Sequence, residues 1–161
     1  MAEALLRARG DERGAALRIS SSGTWAIDGE PATDGAVAAM ETRGIDLSFH
    51  RSKPFDPDRG RDADLIVAMT SVHLREIEAA LPGSIVKTRL LKELHQLPGP
   101  DEDGGGGDTP IARLHGLLQA PRPPWVRSLD LDDPMGLPFG AYEVCAAELE
   151  RGIERLLDLC G

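Results

Sequence analysis

Apolar positions recur along the chain at two different spacings, and each change of spacing marks a change of element. Residues Met1 to Arg9 read as a helix from the first position, although no Ser, Thr, Asp or Asn stands ahead of the turn to take its free amides. Leu17 to Ser22 alternates apolar and polar residues as a short strand and turns at Gly23. Thr33 is placed as the cap of a helix that turns Ala36, Val37 and Met40 inward and stops at Gly44. Asp64 to Met69 is an almost unbroken apolar run, the pattern of a parallel strand inside a sheet. Val72 to Leu81 returns to helical spacing through Leu74, Ile77, Glu78 and Leu81, ends at Pro82-Gly83, and is followed by a further strand over Ile85 to Leu90.

Past Leu97 the pattern breaks. Residues 98–108 are rich in Pro, Gly, Asp and Glu, which predicts a flexible insert with nothing to bury. Thr109-Pro110 then opens a short helix through Leu118, and Pro121, Pro123 and Pro124 stiffen the link beyond it. From Phe139 or Gly140 comes the longest helix, with Cys145, Leu149, Gly152, Ile153, Leu156 and Cys160 forming one stripe against the sheet. Strands alternating with helices predict an α/β fold, a small parallel sheet flanked by helices, in a single domain over 1–161.

Charge and cysteine usage narrow the function. A formal net charge of -9 disfavours nucleic acid and anionic membranes as partners, since both need a basic footprint. No apolar run is long enough to span a bilayer and no leader is recognisable, so a cytoplasmic location is expected. Cys145 and Cys160 fall on one helix roughly 22 Å apart at about 1.5 Å per residue, too far to bond. They read as core residues. With the histidines scattered, no metal site is expected.

Three segments carry candidate chemistry: Ser20-Ser21-Ser22-Gly23-Thr24-Trp25, Asp46-Leu47-Ser48-Phe49-His50-Arg51-Ser52, and Leu131-Asp132-Asp133-Pro134-Met135-Gly136. In this order, with the Leu65 strand between the last two and Met1-Ala2-Glu3-Ala4-Leu5-Leu6 at the start, they resemble the low-molecular-weight protein tyrosine phosphatase family in its bacterial form. The resemblance implies a phosphotyrosine phosphatase I-like fold, hydrolysis through a phosphocysteine, a phosphotyrosine-containing protein as substrate, and no cofactor. It makes Asp133 the general acid and base, with Pro134 fixing its turn. Ser22 and His50 would support the phosphate-binding loop, and Trp25 and Met135 would meet the substrate. Met135 stands where many relatives carry an aromatic residue.

The same resemblance places a loop of Cys, five residues, Arg and Ser just before the first helix, and that loop and the central strand leading into it are not in the chain. The expectation is therefore an amino-terminally truncated phosphatase, inactive as given and weakly stable. A catalytically dead relative that binds phosphoproteins is one alternative. An arsenate reductase-like protein of the same fold is another, but it needs resolving cysteines after the Met69 strand, and none follow there.

Overall fold

The computed structural model describes residues 1–97, 116, 118 and 129–160. The insert expected at 98–108, the prolines after position 120 and most of the helix expected from Thr109 lie outside them. The architecture is α/β with a small parallel sheet. Helix α1 spans Ala2–Glu12, α2 Asp34–Glu41, α3 Pro57–Asp62, α4 Ser71–Ala80 and α5 Phe139–Cys160; strand β1 is Ile66–Ala68 and β2 Thr88–Leu90. By compactness the chain divides into two units, Met1–Phe55 with Asp132–Ile153, and Asp56–Leu131 with Glu154–Gly161.

In the first unit α1, α2 and most of α5 bury Leu5, Ala39, Met40, Tyr142, Ala146 and Leu149. Glu150 of α5 lies between two guanidinium groups, 3.2 Å from Arg9 of α1 and 3.0 Å from Arg43 after α2. Arg43 also reaches Glu143 at 3.1 Å. α2 begins and ends as its sequence requires. Thr33 Oγ1 accepts from the Ala36 amide, and at the far end Gly44, at φ +70, lets the Ile45 amide close on the Met40 carbonyl.

In the second unit β1 and β2 pair in parallel, Ile66 with Thr88 and Ala68 with Leu90. All of β2 is buried. Arg89 and Glu93 are both almost fully enclosed, Nε to Oε1 3.6 Å, and the other Glu93 oxygen accepts from the Leu90 amide at 3.0 Å. Arg89 also donates to the Thr88 carbonyl. The two charges thus answer each other and the backbone.

Two expected strands differ. Leu17–Ser22 forms no ladder: the Leu17 amide turns back on the Ala15 carbonyl at 3.0 Å, and side chains of α1 take the Ile19 carbonyl and the Ser21 amide. Ile85 to Leu90 is a strand only from Thr88. Ser84–Lys87 winds into a 3₁₀ turn because Glu78 of α4 accepts from the amides of Gly83 and Ile85 and the hydroxyl of Ser84, drawing that stretch out of line. The stripe on α5 is buried at Cys145, Leu149, Gly152, Ile153 and Leu156, with Cys160 half-buried.

Glycine at position 35 is set by contact. A Cβ there would lie 2.6 Å from the Tyr142 ring, so although alanine gains about 1 kcal/mol of helix propensity, overpacking of about 1–3 kcal/mol outweighs it. Gly35→Ala should lower the melting temperature; an unchanged or higher midpoint would contradict this packing. Truncating Glu93 leaves Arg89 buried without its carboxylate, so Glu93→Ala should cost about 3–5 kcal/mol in urea unfolding and Glu93→Gln distinctly less.

Candidate active site

Every site residue expected from the sequence belongs to the first unit. α1 presents Glu3 and Arg7 on one face, four residues apart and 3.0 Å from each other. Together they hold the extended strap that follows. Glu3 Oε2 accepts from both the amide and the hydroxyl of Ser21, and Arg7 Nη2 donates to the Ile19 carbonyl at 3.0 Å. Partial burial works to raise the Glu3 carboxyl, but the hydrogen bonds from Ser21 and Arg7 and the charges of His50 and Arg7 hold it below its ordinary range.

Facing α1 is the turn from Gly44 to His50. Asp46 accepts from the Ser48 amide at 2.8 Å, Leu47 is buried, and the His50 amide closes on the Leu47 carbonyl at 3.1 Å. An open hollow of about 400 Å³ lies between the two, lined among others by Glu3, Arg7, Asp11, Asp46 and His50. Burial lowers the His50 pKa, and the positive charges of the Met1 amino group, Lys53 and Arg51 act the same way, against a pull upward from Glu3.

Beyond the strap, residues 23–30 are tied to residues 51–55. The Gly23 amide donates to the Lys53 carbonyl and its carbonyl accepts from Phe55; Gly29 and Glu30 exchange similar bonds with Ser52. Trp25 sits on this paired loop, 85% exposed. On a separate loop Asp133 is exposed, and its Oδ1 accepts from the Met135 amide at 3.0 Å, so the acid and the substrate-contact candidate share one Asx turn. The Leu137 amide then closes on the Pro134 carbonyl.

Of the expected residues, His50 lines the hollow, whereas Ser22, Trp25, Asp133 and Met135 do not. Ser22 is exposed, and it is Ser21 that bonds to α1. Glu3, Arg7 and Ser21 were not singled out from the sequence, although a Glu four residues ahead of an Arg on a helix is a legible pair. Among the described residues no three His, Cys, Asp or Glu side chains are grouped to hold a metal.

Residues 1–99 match the family model described as low molecular weight phosphotyrosine protein phosphatase. The chain belongs to that family. A probable low molecular weight protein-tyrosine-phosphatase of Ralstonia solanacearum, EpsP, is 28% identical over 96% of this chain and 81% of its own length. A protein-arginine-phosphatase of Bacillus subtilis is 33% identical over 58% of this chain and 61% of its own. Among solved structures, the low molecular weight protein tyrosine phosphatase of T. tengcongensis superposes with a TM-score of 0.72 at 27% identity, covering 97% of this chain and 86% of that one. Low molecular weight phosphatase membership therefore rests on sequence and fold together.

A depressed His50 pKa has a signed consequence. The folded protein binds fewer protons than the unfolded chain between the lowered value and the ordinary 6.5, so this contribution to stability is complete above 6.5 and is lost as pH falls through that window. His50→Gln should flatten the fall in melting temperature over that range. Parallel pH profiles for the two proteins would show that His50 is not the group responsible.

Proposed function

We propose that this protein is a cytoplasmic phosphatase for phosphotyrosine in proteins, with Asp133 as its general acid and base. The observation that carries the reading is the Asp133-Pro134 turn. With Oδ1 engaged by the Met135 amide, Oδ2 is the oxygen left to carry a proton, and it does so from an exposed position where a substrate can meet it. Pro134 removes an amide and a backbone rotation from the loop, which keeps that carboxyl aimed.

In the family's chemistry a thiolate attacks phosphorus and the bond to the phenolic oxygen breaks. Asp133 gives that oxygen its proton. The resulting carboxylate then takes a proton from water as the water oxygen attacks the phosphocysteine, releasing phosphate and restoring the thiolate. His50 and Ser22 support the region that would hold the phosphate, and Trp25 and Met135 contact the substrate ring.

Residues 1–161 do not include the Cys, five residues, Arg, Ser segment. Cys145 is buried, and burial pushes the Cys160 thiol up, the opposite of what a nucleophile at neutral pH needs. Neither substitutes for the missing sulfur. Residues 1–161 thus supply the acid and the frame and should not by themselves turn over substrate.

The test is hydrolysis of aryl phosphates by residues 1–161 and by the same chain preceded by a strand and a Cys, five residues, Arg, Ser loop. The first should be inactive and the second active, with Asp133→Ala about 10²–10³-fold slower on phenyl phosphate and much less impaired on p-nitrophenyl phosphate, whose leaving group needs little protonation. An unchanged leaving-group dependence in Asp133→Ala would reject the assignment. Comparing phosphotyrosine and phosphoarginine peptides fixes the side chain, and preference for the second would replace tyrosine in the reading.

A further inference from the structure

The loop that bears Asp133 is rooted by a carboxylate that none of the assigned roles uses. Asp130 lies three residues ahead of Asp133, and both of its side-chain oxygens are engaged. Oδ1 accepts from the Ser71 amide at 2.6 Å and Oδ2 from the Ser71 hydroxyl at 3.0 Å. Ser71 is buried and is the first residue of α4, so the carboxylate also meets the positive end of that helix. The Asp130 carbonyl accepts from Lys92 Nζ at 3.0 Å, and the next amide, that of Leu131, donates to the Met69 carbonyl at 2.8 Å. These bonds all fall inside the second unit.

After Leu131 the chain changes character. Asp132 and Asp133 are exposed, and Asp133 Oδ1 accepts from the Met135 amide within its own turn. Leu131 and Asp133 are separated by a single residue, which spans at most about 7 Å when extended, so the freedom of the acid is set by how firmly Leu131 is held. A helix-capping aspartate needs one acceptor. Here the second oxygen is spent on the hydroxyl of the same serine, which fixes the rotation of the carboxylate and with it the path of the backbone.

We propose that Asp130, through its paired hydrogen bonds to Ser71, is a positioning residue for the acid loop. It rests on the reading of Asp133 as the general acid, but the mooring is open to measurement in residues 1–161 without turnover. Amide relaxation should show Met135 ordered in the parent chain, near 0.85, and falling below about 0.6 in Asp130→Ala, while Ile45, at the end of α2, stays unchanged. Ser71→Ala, which keeps the amide bond and loses the hydroxyl, should fall between. Asp130→Asn should restore order, because its oxygen still accepts from the Ser71 amide and its nitrogen can donate to the Ser71 oxygen.

In the chain extended by the nucleophile segment, Asp130→Ala should lower kcat on phenyl phosphate about tenfold with KM unchanged and steepen the leaving-group dependence in the direction of Asp133→Ala. If Asp133→Ala leaves that dependence unchanged, the function reading fails and Met135 order alone judges the mooring. If Asp133→Ala steepens it and Asp130→Ala lowers only the melting temperature, with Met135 still ordered, Asp130 is structural and this inference is wrong.

Discussion

The first unit depends on α1 supplying, from its side chains, what a neighbouring strand would supply from its backbone. Ser21 N–H and Ile19 C=O are backbone groups that need partners, and they find them in Glu3 and Arg7. Because Glu3 and Arg7 are one helical turn apart, the spacing they impose on Ile19 and Ser21 matches two residues of extended chain. From this strap the Trp25 loop departs, and through its bonds to Ser52 and Lys53 it sets the course of the chain leaving His50. A charge-assisted clamp on the helix is thus transmitted to both walls of the candidate site.

What was legible in the sequence divides along the same physical line. Thr33 and Gly44 bound α2 through local geometry, so they could be read without tertiary information. The apolar run around Val67 and the spacing of Leu74 and Ile77 were equally plain. Leu17–Ser22 has the alternation of a strand, yet being a strand depends on a neighbour, and alternation cannot report whether one is there. The stretch from Ile85 to Lys87 departs from the expected strand for a related reason. Its path is decided by Glu78, whose two oxygens hold Gly83, Ser84 and Ile85, and a polar residue on the inner side of α4 carries no such message in its spacing.

The candidate site was legible at the level of motifs and not of atoms. The Asp133-Pro134 pair announces its turn by composition, and the bond from Met135 is the local consequence. Choosing between Ser21 and Ser22 is a different matter. In an extended chain adjacent side chains point to opposite sides, and which side faces α1 follows from register alone. Glu3 decides it, and its involvement is visible only once helix and strap are side by side.

A chain of net charge -9 is an unexpected host for the phosphate dianion of the proposed function, so the groups nearest the hollow matter more than the total. Two of the carboxylates around the hollow are held by donors: Glu3 by Ser21 and Arg7, and Asp46 by the Ser48 amide. Each of these partners donates hydrogen to oxygen and so offsets part of the carboxylate's charge. On the other side Arg51 and Lys53 follow His50 closely, and α1 begins nearby with the positive end of its dipole. Net charge governs what approaches from beyond a Debye length of about 8–10 Å, whereas binding is decided inside it. An acidic surface therefore selects against extended polyanions, whereas for a single phosphate monoester, the ligand of the proposed function, the donors and charges within that distance decide.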